Sequence, residues 1–575
     1  MLPSLENWLK GKFWYTRRDY LDKSKCWSEL LNSFLIKEKT IVANKQEEQT
    51  TYSRRQADSV RQGDDQTSKS RGKTSYSIAV DSSHRFYIFL FSLVMALTSV
   101  ANPLLTDFAN PTQMLHLYTG QMLSQGHLPY QDIFATGGFL YYALIALAYF
   151  LGSSIWLMLV EFLAFYMSGI YFYKIISFLT KKTEMGMTYT AIFFLLNLAL
   201  GFGGLSPIQW AYPFMLNALW FLTKYFAGHI NDEAFIIYGF FGTLAALIDP
   251  RSLIFWVLSF IIIGIYNFLQ CHFARGFYQL LCMIFGAILV YYTVGFFVLN
   301  MGNLSEYVSQ ALFYNFKVFA LGSDSLLITL PYQLLVLAAS GLLLGFLGFF
   351  GHLGRVLEFK TVKWLSFFTF IISLILGIFV QTYYVFTLLL ALPFGLILTS
   401  LVINDRLDDG TEGETKEVAG AHRRKRTIHE SQGGYWASFA RGHFQLPLLV
   451  MVLGIATPIV LGILSVNINR ERRNVSDYLK ANTSNQSIIY VWDKSSKIYL
   501  DTGLKSASQF PNPVVNTSTQ DNSQKRDDDI LQGNARYIVL NKSEKLPKEV
   551  SRVVRSNYKK ISLDNAEHFL IYQKK

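Results

Sequence analysis

Runs of apolar residues broken by short polar turns dominate the chain from residue 86 onward. They fall near 86–105, 138–152, 155–179, 185–203, 209–227, 234–248, 252–270, 276–300, 329–350, 362–380, 383–403 and 446–467. Most approach the roughly 20 residues that cross a hydrocarbon core of about 30 Å. Inside lipid every backbone N–H and C=O must be satisfied within its own segment, so such runs form helices. The pattern predicts a polytopic α-helical membrane protein.

Beyond residue 467 the period changes. Segments 487–492, 535–540 and 568–572 read as strands, and 475–480 and 547–556 as helices. The tail 468–575 is therefore expected to form a small α/β domain, with a turn-rich insertion near 511–533. At the other end, residues 1–85 are polar and basic on balance. Their stretch 43–75 is rich in Gln, Ser, Arg, Lys and Asp and too poor in apolar residues to bury a core, which predicts disorder. The domain plan is thus 1–85 cytoplasmic, 86–403 transmembrane with a first outer loop 106–137, 404–445 a charged cytoplasmic loop, 446–467 the last span, and 468–575 an extracytoplasmic domain.

Charge fixes those sides. The chain of 575 residues carries a formal net charge of +12. The loop 404–445 holds His422-Arg-Arg-Lys-Arg426, and 351–363 holds Arg355, Lys360 and Lys363, whereas 106–137 has no Lys or Arg. The positive-inside rule reads this excess as topology, with the basic run touching anionic lipid, and not as a nucleic-acid surface. Twelve spans would leave both termini on one side, against that rule. An odd total within about 11–13 is expected, with 138–180 making one net crossing through a re-entrant or broken segment. The location is the cell membrane, multi-pass.

Composition agrees: 51% of residues are hydrophobic and the mean hydropathy is +0.26. The three cysteines, Cys26, Cys271 and Cys282, supply no metal spacing, and no Walker loop, HExxH or GxSxG occurs.

Candidate chemistry gathers in the first outer loop. Met114, Leu117, Tyr118 and Met122 share one face of a helix, which would lie in the interface beneath the outer headgroups. Asp107 stands at the end of the first span, and Asp132 follows Pro129-Tyr130 where the chain turns. A carboxylate near a low-dielectric surface has a raised pKa and can act as a general base. Asp249-Pro250-Arg251 ends a later span, and its guanidinium suits a lipid-linked phosphate. Glu161, inside a span, suits a hydrogen bond between helices. Lys317 lies in a loop that also carries Glu306 and Asp324.

The stretch Gly120-x5-Gly126-x2-Pro129-Tyr130-x-Asp132-x-Phe134 resembles the first-outer-loop signature of bacterial GT-C-fold glycosyltransferases, the polyprenyl-phosphate-sugar-dependent group related to protein mannosyltransferases. Phe313-Tyr314-Asn315 resembles that family's later aromatic-Tyr-Asn segment, and the tail resembles its appended outer domain. The resemblance implies a sugar carried on a polyprenyl phosphate at the outer leaflet and an envelope glycan as acceptor. It further implies an aspartate that activates the acceptor hydroxyl, and in some members a divalent metal. It places Asp107 and Asp132 as catalytic candidates, and Tyr130, Gln209, Arg251, Asn315 and Lys317 as substrate-binding candidates. There are departures. The family's acid stands about eight residues before the first glycine, where this chain has Thr112, and an acid of the next outer loop is replaced by Gln209. A threonine cannot replace a carboxylate base. A catalytically silent scaffold for glycan assembly is therefore an alternative, as is a lipid-linked glycan flippase, although no inverted repeat is visible.

Overall fold

The apolar runs fold as helices. The computed structural model describes residues 79–201, 203–228, 230–300, 304–317, 326–356, 359–380, 385–418, 445–484, 486–563 and 565–575. By contact density, residues 263–277 group apart from 77–262 and 278–575. They carry the turn between helices Leu253–Leu269 and Phe273–Asn300.

Six helices among the described residues are long and apolar enough to cross a hydrocarbon core, or seven if one bent pair counts as a single span. This is fewer than the expected 11–13. Several expected spans are helices but too short to qualify alone. Ser82–Thr98 has 17 residues and Phe235–Ile248 has 14. The segment expected at 138–152 is the helix Phe139–Phe150, 12 residues long. At 1.5 Å per residue it reaches about 18 Å, well short of a bilayer core. The next helix, Ile155–Thr180, has 26 residues and qualifies. The region 138–180 thus holds one helix of spanning length. The run expected at 329–350 is broken: Leu327–Ala339 and Leu342–Gly354 meet at 68°. Thr399 donates its hydroxyl to the Gly341 carbonyl at that bend, 3.0 Å away, satisfying a backbone group the break exposes.

Glu161 is fully buried and accepts the indole N–H of Trp210, which ties Ile155–Thr180 to Pro207–Phe226. The basic run His422–Arg426 and most of residues 1–85 lie outside the described residues.

The last membrane helix, Gln445–Leu464, breaks at Ser465, and Val466–Asn482 leads into the tail domain. Five strands follow: β1 (Ile488–Trp492), β2 (Lys505–Ser506), β3 (Tyr537–Asn541), β4 (Tyr558–Ile561) and β5 (Phe569–Lys574). The sheet order is β2-β1-β3-β5-β4. β1 runs parallel to β2 and β3, and β5 runs antiparallel to β3 and β4. The insertion read as turns ends in a helix, Gln520–Leu531, whose N-cap Thr519 accepts the Asn522 N–H.

The sheet does not build its core alone. Ile489, Val491, Tyr499, Val539 and Ile571 pack with Leu115, Tyr118, Met122 and Ile133 of the first loop. The apolar face expected to rest on lipid is covered by protein: Met114, Leu117, Tyr118 and Met122 are all buried. Burying each such side chain contributes about 2 kcal/mol, so loop and tail form one hydrophobic unit.

Candidate functional site

The loop helix, Pro111–Ser124, is set by its first residues. Asn110 caps it, accepting the Gln113 N–H, while the Gln113 side chain accepts the Asn110 N–H, both at 2.9 Å. Pro111 fixes the first turn. Gly120 lets this helix lie against Phe139–Phe150, because a Cβ there would stand 2.3 Å from the Ile145 side chain. Gly126, at φ +90°, ends the following turn. Tyr130 is buried and donates its hydroxyl to the Gly137 carbonyl at 2.8 Å. Phe134 stacks on Phe510 of the tail, with ring centroids 5.0 Å apart.

The two carboxylates expected to act as bases lie in the seam between loop and tail. Asp107 Oδ1 accepts Lys497 Nζ at 2.6 Å, and Oδ2 accepts Arg473. Asp132 Oδ1 accepts Lys505 Nζ at 2.7 Å, and Oδ2 accepts the Leu128 N–H at 2.8 Å. Partial burial works against ionisation of Asp107, but the hydrogen bonds and charges of Lys497 and Arg473 outweigh it. Its pKa falls below the ordinary carboxylate value. Asp132 is lowered in the same way: burial is overcome by Lys505, the Leu128 N–H and His127. A general base must reach the proton it takes. The oxygens of these acids accept from Lys497, Arg473, Lys505 and the Leu128 N–H, and neither acid lines the neighbouring cavity.

That cavity, of about 610 Å³, opens where the loop helix, several span ends and the tail insertion meet. One wall is polar: Thr112, His116, Asp249, Arg251, Tyr314, Asn315 and, from the tail, Lys494 and Asn516. The other is apolar: Leu376, Val380, Phe386 and Leu390. The helices Pro111–Ser124 and Pro207–Phe226 both start on it, and helix N-termini carry positive partial charge. Asp249 holds Arg251 from both ends of the guanidinium, Nε to Oδ1 at 3.0 Å and the terminal nitrogen to Oδ2 at 2.7 Å. Asn315 donates to the Thr136 and Ala311 carbonyls, each at 2.7 Å.

Of the expected substrate-binding residues, Arg251 and Asn315 line this cavity. Gln209 is fully buried and reaches Asn197 at 3.5 Å. Tyr130 is an internal anchor, and Lys317 is exposed beyond the short helix Tyr314–Phe316. The expected convergence of Asp107, Asp132 and Arg251 is not met, because the acids have cationic partners in the tail that local patterning cannot reveal. Thr112 does line the cavity. His116 was overlooked, although it lies four residues on and hence on the same helix face. Its Nδ1 is 3.1 Å from the Tyr141 hydroxyl, which donates to the Leu205 carbonyl at 2.9 Å. Burial, and then the Arg251 charge, bring His116 down to about 4, with Asp249 and a hydrogen bond to the Leu205 backbone opposing. Among the described residues, no three His, Cys, Asp or Glu side chains gather as metal ligands would.

Among solved structures, the chain is similar to the crystal structure of ArnT from Cupriavidus metallidurans bound to undecaprenyl phosphate. They share 14% identity over 85% of this chain and 96% of that one, with a TM-score of 0.47. So distant a likeness carries neither a site nor an activity across. No curated protein matches the sequence. Two family models do: "Putative competence-induced protein Ccs4 N-terminal domain" over residues 73–466, and the Ccs4 C-terminal domain over 469–575. The chain belongs to the Ccs4 family.

Proposed function

We propose that this cavity receives the phosphate and sugar of a polyprenyl-phosphate-linked donor, and that the chain is a glycosyltransferase of the GT-C kind acting on an envelope glycan. The observation that carries the reading is the two-sided wall. Arg251, Asn315, Lys494 and two helix N-termini face one side, suited to a phosphate and hydroxyls. Leu376, Val380, Phe386 and Leu390 face the other, suited to an isoprenoid chain. The volume falls in the range of small-molecule sites. The first-loop and Tyr-Asn motifs point to the same substrate class. Lys494 and Asn516 of the tail line the cavity, and the charge pattern favours an outer side for the tail.

A second reading, a catalytically silent scaffold in glycan assembly, draws on one fact. Asp249 is the only carboxylate lining the cavity among the described residues, and it is engaged by Arg251.

The test uses purified full-length protein in nanodiscs. Undecaprenyl phosphate should bind and undecaprenol, lacking the phosphate, should not. The neutral pair Asp249→Asn with Arg251→Gln should weaken phosphate-lipid binding roughly tenfold or more. Equal binding of the two lipids would remove the donor-site reading. Binding without any loss of sugar from a lipid-linked donor would leave the scaffold.

A further inference from the structure

We propose that His116 accepts the proton of the acceptor hydroxyl in the cavity that it lines together with Thr112. The inference rests on the donor-site reading above and adds the group that makes transfer chemically complete.

The geometry leads there. Residues 112 and 116 are one helical turn apart, about 5–6 Å between Cβ atoms, and both line the same wall. The Tyr141 hydroxyl has one proton, and the Leu205 carbonyl takes it. Toward His116 that hydroxyl therefore accepts, so Nδ1 carries the hydrogen and Nε2 the lone pair. Tyr141 and Tyr142 meet the imidazole edge-on, with centroids at 5.3 and 5.9 Å, and hold its orientation. A base positioned by a second group and set in a substrate-sized cavity is what acyl and glycosyl transfer both need.

In the step, the acceptor oxygen bonds to the anomeric carbon as the bond from that carbon to the phosphate oxygen breaks. The electron pair leaves on the phosphate, which departs as polyprenyl phosphate held by Arg251. The hydroxyl proton passes to His116 Nε2.

Electrostatics favour the order of events. The charged groups acting on His116 are Arg251 and Asp249 of the turn Pro250–Ser252 and its cap. Without substrate, burial and Arg251 keep the imidazole neutral at pH 7, so it is ready to accept. A phosphate on Arg251 offsets that guanidinium, and His116 becomes the stronger base when the donor is present.

The experiment adds purified full-length protein to envelope membranes from a strain lacking the gene. Mass spectrometry follows conversion of glycosylated polyprenyl phosphate to free polyprenyl phosphate. His116→Gln should slow conversion about 100-fold while binding undecaprenyl phosphate in nanodiscs as the parent does, which also certifies its fold. Thr112→Asp added to His116→Gln should restore conversion. Unchanged conversion by His116→Gln would overturn the proposal, and so would a loss that Thr112→Asp fails to restore. A parent protein that binds the lipid phosphate but converts nothing would refute transfer and this proposal together. A parent that binds no undecaprenyl phosphate would refute the donor-site reading itself.

Discussion

The seam and the cavity are built from the same loop, yet they use charge in opposite ways. In the seam, Asp107 and Asp132 each meet a lysine from the tail, with Arg473 added at Asp107. The charges there are satisfied, and they sit beside a large apolar contact. In the cavity, one ion pair, Asp249–Arg251, faces open space beside a neutral histidine and a threonine. Both sets of charges are paired, but the seam pairs join loop to tail, whereas the Asp249–Arg251 pair is local and its guanidinium borders a volume that a ligand could enter. Four aspects of this contrast can be put under strain.

The largest effect should come from Arg251→Ala. It leaves the carboxylate of Asp249, 2% exposed, without its cation. Orphaning one member of a buried pair costs about 3–5 kcal/mol. Thermal unfolding in detergent should show that loss. Asp249→Asn with Arg251→Gln should recover most of it without recovering phosphate-lipid binding. If Arg251→Ala unfolds no earlier than the parent, the pair is as solvated as the seam and the contrast fails.

Next in size is the response to acid. His116 in the fold lies at about 4, below its ordinary 6.5. The unfolded chain therefore takes up a proton there more readily than the native state does. Stability on this account is complete above pH 6.5 and falls as pH drops toward 4, by roughly 3 kcal/mol. His116→Gln lacks the proton site, so its melting temperature should vary less between pH 6.5 and 4 than the parent's. The seam loses stability in the same direction but in a lower window. Asp107 and Asp132 lie below the ordinary 3.8, so their contribution is present above that value and is lost only as pH falls beneath it. Parallel curves for parent and His116→Gln would mean the imidazole is not buried neutral.

Much of the architecture was legible in the residues. Strand-like patterns at 487–492, 535–540 and 568–572 coincide with β1, β3 and β5, because alternating β-branched and aromatic residues have few other uses. The two-residue β2 is too short to leave a pattern, and β4, Tyr-Lys-Lys-Ile, is half solvated. Apolar runs announced helices but not their lengths: 138–152 and 155–179 look alike in composition, yet one makes a helix of 12 residues and the other of 26. The site was half legible. Arg251 and Asn315, singled out from charge and motif, line the cavity. The pairing of Asp107 and Asp132 with the tail was not legible because Lys497 and Lys505 lie 390 and 373 residues away, a distance no local spacing reports. His116 was within reach, since helical periodicity from Thr112 places it on the same face.

A third test addresses the seam. Asp107→Asn removes a charged partner from Lys497, whose side chain is 7% exposed and whose other ion-pair partner among the described residues is Asp501, at 3.6 Å. Losing a charge-assisted hydrogen bond of this kind costs about 2 kcal/mol. Limited proteolysis should then release the tail domain sooner, while binding of undecaprenyl phosphate persists. A loss of lipid binding with the tail still protected would bring Asp107 back as a site residue.

The smallest effect should separate the two regions most cleanly, because the loop helix serves both. Its first turn borders the cavity and its later face fills the seam. Asn110→Ala removes the cap and one half of the reciprocal bond with Gln113, at a cost of about 1 kcal/mol. Fraying there moves Thr112 and the helix N-terminus that the phosphate would face. Leu115, Tyr118 and Met122 stay packed with the tail, and a hydrophobic contact of several kcal/mol is not undone by one lost cap. Lipid-phosphate affinity should therefore fall by a few-fold at unchanged proteolytic protection of the tail. If protection falls in step with affinity, the helix moves as a unit, and cavity and seam are a single cooperative structure.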